Sequence, residues 1–262
     1  MPRFSAHVGY LFPELSLLER FDAAARVGFK AVDMPVCYDV PAAALRDAVK
    51  RNGLTALGIN TPKHDNGGSH SLGAVPGREK DWEALFDQAM DYATTIGNSA
   101  IHCMSGVVTD GQRAEAERTF VANLKRAADI AAAKNLKLLL EPINPRNAPG
   151  YFLNGLEQAA DIIANVGKPN VQLQFDFYHV QIIRGDVIKN FEKYFSIIGH
   201  LQCAAVPVRH EPDGDCEVNY PFVFSEVDRL GYKGWIGAEY HPRGRTEDGL
   251  GWAAPYGIGP GK

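Results

Sequence analysis

The chain has 262 residues, enough for one large domain or two small ones, and its 45% hydrophobic content can supply a core. Lys plus Arg number 27 and Asp plus Glu 31, a net charge of −4 that argues against broad neutralisation of nucleic-acid phosphates. No run approaches the length of a membrane span, and the opening MPRFSAHVGYLF lacks the apolar centre of a secretion signal. Cys37, Cys103, Cys203 and Cys216 stand far apart with no CxxC pair. The expectation is four reduced thiols in a cytoplasmic protein that meets neither membrane nor nucleic acid.

Eight short apolar runs punctuate the chain: RFSAHVG (3–9), KAVDM (30–34), LTALGIN (54–60), SAIHCM (99–104), LKLLLEP (136–142), VQLQFDF (171–177), HLQCAA (200–205) and WIGAEY (235–240). They read as continuous rather than alternating, as strands covered on both faces do. Helical periodicity lies between them. Leu15, Leu18, Phe21 and Ala25 share one face before Gly28, and Trp82, Leu85, Phe86, Ala89, Met90 and Ala93 share another before Gly97. Phe120, Leu124, Ala127, Ala128 and Ala131 repeat the spacing, and Phe222, Phe224, Val227 and Leu230 end at Gly231. Strand–helix units repeated eight times predict an α/β fold, a single (β/α)8 TIM barrel over 1–262, and no GxGxxG supports an open dinucleotide-binding sheet instead. Two loops, 61–77 and 206–219, are too long for plain connections and follow strands, which puts them on the face where barrel sites form.

The strand ends carry the chemistry. The fifth run ends in Glu141, the sixth in Asp176, the seventh contains Gln202 and the eighth ends in Glu239. Any one of these alone is as readily a solvated strand end. Four from successive strands would converge on the barrel mouth, where the carboxylates repel unless a cation neutralises them. All-oxygen ligation suits a hard divalent ion, Mg2+ or Mn2+, rather than zinc. His179, three residues past Asp176, falls beside such a site as a substrate ligand or a structural group. His7 and His102 sit inside strand runs, where core packing is the plainer reading and a place on the pocket floor the alternative. His200 reads as structural, and His64, His70, His210 and His241 as exposed loop residues. Arg209 is the best candidate for an anionic substrate group. Glu211, Lys63 and Asn60 complete the substrate-binding candidates, with solvated charge the plain reading of the first two.

EPIN (141–144), FDFYH (175–179), HLQ (200–202), VRHEPDGDCEVNY (208–220) and GWIGAEYHPRGRTEDGLGW (234–252) together resemble the hydroxypyruvate isomerase family, one of the xylose isomerase-like barrels. RFSAHVGYLFPELSLLERFDAAARVGF (3–29) and VPGRE (75–79) extend the resemblance over nearly the whole chain. The resemblance implies that Glu141 and Glu239 are the acid/base pair, that Glu141, Asp176, Gln202 and Glu239 bind the metal, and that the chain forms a homo-oligomer. His7 stands where that family usually has Asn, Asp33 where it has Glu, and NTPKHDN where it has a loop of the form NLPAGDW. These departures leave the metal chemistry intact and bear on the substrate.

The reaction so implied moves a proton between adjacent carbons of a small hydroxy-oxo acid through an enediolate. Its substrate would be hydroxypyruvate, giving 2-hydroxy-3-oxopropanoate, or a four-carbon 2-oxo acid sugar. A ketose 3-epimerase is the alternative, disfavoured because epimerases of the superfamily generally carry His where this chain has Gln202. An abasic-site endonuclease-like activity, which needs a His-rich zinc site, and a barrel that only binds sugar rank below both.

Overall fold

The computed structural model describes residues 1–64 and 70–261, so part of the 61–77 loop and of its NTPKHDN motif, together with Lys262, lies outside the described residues. All the strands fall in one parallel sheet: β1 Arg3–His7, β2 Ala31–Asp33, β3 Thr55–Ala56, β4 Gly58–Asn60, β5 Ala100–His102, β6 Lys137–Leu140, β7 Val171–Asp176, β8 Ile198–Cys203 and β9 Trp235–Ala238. The order is β3-β2-β1-β9-β8-β7-β6-β5-β4, and its two ends are the halves of one strand position interrupted at Leu57. Leu57 closes the circle itself: its N–H donates to the Val32 carbonyl, and its own carbonyl accepts from Ser99 and Ala100. Eight strand positions therefore form the barrel, as the repeat of strand–helix units predicts.

Helices follow in turn: α1 Leu17–Arg26, α2 Ala42–Arg51, α3 Glu79–Ile96, α4 Arg113–Ala132, α5 Leu156–Val166, α6 Phe177–Ile183, α7 Val187–Tyr194 and α8 Tyr220–Arg229, with a 3-10 segment Thr246–Tyr256 after β9. Ser16 and Glu19 close a capping box at the start of α1, which leaves Leu15 of the expected face just outside the helix. Gly97 ends α3 with φ +90, a left-handed position that costs glycine nothing. None of the described helices is long and apolar enough to cross a membrane. All four cysteines are free, three of them buried.

The strands differ from the continuous apolar reading in one instructive way. In β7, Val171, Leu173 and Phe175 join the core against the helices, whereas Gln172, Gln174 and Asp176 alternate with them. In β1, Phe4 and Ala6 face the helices while Ser5 and His7 do not. β6, with Leu138–Leu140, and β9, WIGA, keep unbroken apolar runs. The alternation has a physical cause: the upper barrel interior is filled by polar side chains rather than by aliphatic layers. Ser5 donates to Asp33 (2.5 Å), His200 lies 3.3 Å from the other oxygen of Asp33, and Gln174 donates to Gln202 (2.8 Å). Ser5, Asp33, Gln174 and Gln202 are tolerable there because they pair with one another, whereas His200 Nε2 faces Asp33 without a hydrogen-bond partner of its own. Although burial favours its neutral form, Asp33 is held below its ordinary pKa by His200 and Ser5. His200 is thus a structural partner deep in the barrel.

Candidate active site

Glu141 is the first residue past β6, Asp176 the last of β7 and Glu239 the first past β9, so three strand ends deliver three carboxylates to the same mouth. Glu141 and Glu239 border a cavity of about 380 Å³ together with Tyr10, Asn60, Lys63, His70, His102, Asn147, His179 and Arg209, and Asp176 lies behind its lining, beside His179 and Arg209. Asp176 also caps α6, accepting the Tyr178 N–H at 2.9 Å, which leaves its second oxygen free. Glu141 Oε1, Asp176 Oδ2 and Glu239 Oε2 are buried and have no hydrogen-bond partner.

Charge around them is compensated from one side. Arg209, from the 206–219 loop, lies 3.2 Å from Glu239 and 3.6 Å from Asp176. Its guanidinium sits between the rings of Tyr10 and Tyr178, at 5.0 and 4.9 Å, and donates to the Tyr10 hydroxyl at 3.3 Å. Burial works against its charge, but Glu239, Tyr10 and Asp176 outweigh burial and hold its pKa above the ordinary arginine value. Burial dominates for the carboxyls. It raises Glu141 well above the usual range, helped by Glu239 and Asp176; it raises Asp176 to about 7 against the pull of Arg209; and it raises Glu239, again opposed by Arg209.

Histidines close the other sides. His7 Nε2 is 3.4 Å from Glu239, and His102 Nδ1 is 3.7 Å from Glu141. Both therefore belong to the site wall rather than to core packing alone, and burial lowers each from 6.5 to about 3, keeping them neutral. His179 Nε2 lies 3.9 Å from Glu141 and 3.7 Å from Asp176. Its Nδ1 accepts the Asn144 backbone N–H at 3.2 Å, and the Asn144 side-chain amide is also within 2.7 Å. A backbone N–H can only donate, so Nδ1 is the bare nitrogen and Nε2 carries the proton. Glu141, Asp176 and His179 offer ligand atoms within 4.8 Å of one another, but this tautomer makes His179 a hydrogen-bond donor facing the carboxylates, not a lone pair for a metal.

The donor set fits a hard divalent ion nonetheless. The orphaned oxygens of Glu141 and Asp176 fall in that close group and call for a cation; Glu239, with its own orphaned oxygen, lies outside the group across the cavity, and Gln202 adds an amide oxygen on the strand between Asp176 and Glu239. Gln202 Oε1 already accepts from Gln174 and retains a second lone pair. Gln202 lines a small cavity of about 10 Å³, room for one water, with His7, Asp33, Asn60, His102 and Gln174. Asn60 and His102 border both cavities.

The remaining expected residues divide. Lys63 is exposed at the cavity rim, and His70, expected in solvent, is half-buried against it. Glu211 is 1% exposed but outside the cavity lining; its Oε1 accepts the Arg243 backbone N–H at 3.1 Å. Sequence reading did not single out Tyr10, Tyr178, Asn144 or Asn147. Tyr178 donates to Asn147, which is bonded to Asn144, so a chain of side chains orients His179. Two of these lie inside EPINPRN and one inside FDFYH, so their nearness to Glu141 and Asp176 in sequence was the available signal.

The sequence profile described as the xylose isomerase-like TIM barrel matches residues 21–256. A 2-oxo-tetronate isomerase of Cupriavidus necator is 46% identical over 98% of this chain and 99% of its own length. The chain belongs to the hydroxypyruvate isomerase family of these barrels. A provisionally assigned hydroxypyruvate isomerase of Homo sapiens is 44% identical, covering 97% of this chain and 95% of its own. The crystal structure of AP endonuclease, family 2, from Brucella melitensis superposes with a TM-score of 0.95 at 41% identity, covering 98% of this chain and 99% of that one. A 3-keto-D-glucoside 4-epimerase of E. coli superposes at 0.78 with 17% identity, a likeness of fold alone.

Proposed function

We propose that this chain is a divalent-metal-dependent isomerase of a small hydroxy-oxo acid, a 2-oxo-tetronate or hydroxypyruvate, with Glu141 and Glu239 as its acid/base pair. The observation that carries the reading is that Glu141 and Glu239 meet at one cavity, with Asp176 next to Glu141, each with a buried, partnerless carboxylate oxygen, beside a buried arginine. Relatives named 2-oxo-tetronate isomerase at 38–46% identity over 98% of the chain support the substrate class.

Glu141, Asp176 and Glu239, with the Gln202 amide oxygen, would hold the ion. A bound Mg2+ or Mn2+ supplies the positive charge against which an enediolate can form. The chain's own residues do the rest. Arg209 receives the substrate carboxylate and His179 Nε2–H donates to a substrate oxygen. Arg209, 3.2 Å from Glu239, draws that carboxyl toward its ionised form, whereas Glu141 has no such neighbour at that distance. Glu239 accordingly removes the proton from the carbon beside the carbonyl, and Glu141 delivers one to the adjacent carbon. Burial excludes bulk water from both.

The test is a panel of hydroxypyruvate, four-carbon 2-oxo acids and free ketoses with Mg2+, Mn2+ or chelator. Turnover of an acid that needs metal and brings solvent deuterium onto the product carbon is the expected result. Turnover of ketoses alone would make the chain an epimerase, and turnover in chelator would remove the metal from the mechanism.

A pH dependence follows from the same carboxyls. Their folded pKa values lie above the unfolded ones, so the folded chain binds more protons and its stability falls as pH rises through the folded values. His7 and His102 act oppositely, but in the unfolded chain their midpoint is 6.5 and their contribution fades above pH 7, where the carboxyls dominate. Metal-free protein is expected to lose stability as pH rises from 6 to 8, while Mn2+ binding strengthens over the same range, because the ion displaces protons that the folded carboxyls hold. Calorimetric Mn2+ titrations at pH 6, 7 and 8 check this; an affinity flat across that range would remove the cluster as the metal site.

A further inference from the structure

Arg209 has a left-handed backbone, φ +59, in a loop joining β8 to α8. A non-glycine residue keeps that conformation only where its surroundings over-determine it. The surroundings here are the residues just past β9. The Arg209 carbonyl accepts the His241 N–H at 2.8 Å, His210 Nδ1 donates to the His241 carbonyl at 2.8 Å, and Glu211 Oε1 accepts the Arg243 N–H at 3.1 Å. The Arg243 guanidinium lies 3.4 Å from Glu211 Oε2 and grips both oxygens of Asp213, at 2.6 and 3.1 Å. Glu211 is buried against Gly249, where any β-carbon would collide with Oε1.

We propose that Glu211 and Arg243 form a latch that positions Arg209 in the cavity, with Gly249 leaving the room the latch needs. The latch ties residue 211 to residue 243, two positions beyond the link from 209 to 241. It thereby fixes the loop carrying Arg209 to the segment that begins with Glu239. Arg209 and Glu239 are the pair 3.2 Å apart at the site, so their spacing is set by bonds outside the cavity. Neither Glu211 nor Arg243 lines that cavity, which makes both positioning residues rather than substrate ligands. The motif VRHEPDGD (208–215) and the motif YHPRGRTEDG (240–249) are the two halves of one device. Its effect on an acid substrate rests on the reading of Arg209 given above; its effect on Arg209 itself does not.

The test uses the full chain as Arg243→Met, Gly249→Ala and Arg243→Lys, with Arg209→Gln alone and combined with Arg243→Met. Arg243→Met and Gly249→Ala are expected to raise KM for the 2-oxo acid about tenfold or more with kcat changed less than about threefold, one charge-assisted contact's worth. Arg243→Lys restores part of the loss, and Arg243→Met adds nothing once Arg209 is gone. Crystal structures of both latch variants are expected to show Arg209 drawn out from between Tyr10 and Tyr178. An unmoved Arg209 in the variant that folds, or additive effects in the double variant, overturns the latch. A displaced Arg209 in a protein whose wild type turns over no 2-oxo acid upholds the latch and overturns the isomerase reading, so the two failures are distinguishable.

Discussion

Glu141→Gln is expected to lower kcat for the 2-oxo acid by about 10²–10⁴-fold, the range lost with a general acid or base, while the fold persists. The amide keeps the shape of the carboxyl and its place beside His102, 3.7 Å away, but cannot exchange a proton. Stability should move the other way. Ionising Glu141 at pH 8 is opposed by burial and by Glu239 and Asp176, so removing the ionisable group relieves repulsion in metal-free protein. A higher Tm for the variant without metal, and a smaller gain from Mn2+ than wild type shows, complete the signature. Unchanged kcat would end the assignment of this residue, and equal Mn2+ gains would separate it from the metal. Glu239→Gln should lose rate comparably, because a proton shuttle fails when either end is missing.

Arg209→Gln carries the second large effect. Removing one partner of a buried charge cluster leaves the others uncompensated, at a cost of about 3–5 kcal/mol. In a chain of this size that corresponds to a fall in Tm on the order of 10 °C, recoverable with saturating Mn2+ because the ion restores the missing positive charge. The same variant separates acid from sugar substrates. KM for a 2-oxo acid should rise about 10–100-fold, the equivalent of one charge-assisted hydrogen bond pair, whereas any residual ketose turnover should change little. Equal losses on charged and uncharged substrates would show that Arg209 only holds the carboxylates apart and does not read the substrate.

Much of the architecture was legible from periodicity. The eight runs match the eight strand positions, and the helices carrying Phe21, Trp82, Phe120 and Phe224 fall where their spacing puts them. The shorter helices left weaker traces. AAALRDAVKR in α2 buries one face, Leu45, Ala48 and Val49, but that face holds only two large apolar side chains, and FYHVQII in α6 is apolar at most of its positions and shows no one-sided face. LTALGIN reads as one strand, yet Leu57 divides it in two because its N–H turns to β2 and its carbonyl to β5 at the barrel seam. The inward polar layer was masked in the same way: VQLQFD has strict alternation, but its neighbours LKLLL and SAIHCM look continuous, and only closure of the sheet shows which face is inside.

What the sequence determined by itself is the register of each strand against its own end. Glu141, Asp176 and Glu239 stand at strand termini because an apolar run stops there, a local property that any parallel barrel turns into convergence at one mouth. What only the tertiary structure decided is which loop groups arrive to meet them. Arg209 reaches Glu239 through links to His241 and Arg243, the tautomer of His179 is set by the Asn144 backbone 35 residues away, and Glu211 turns from the cavity toward Gly249. Those outcomes depend on bonds between segments distant in sequence, and no periodicity encodes them, because a loop's position is fixed by what it touches rather than by its own repeat.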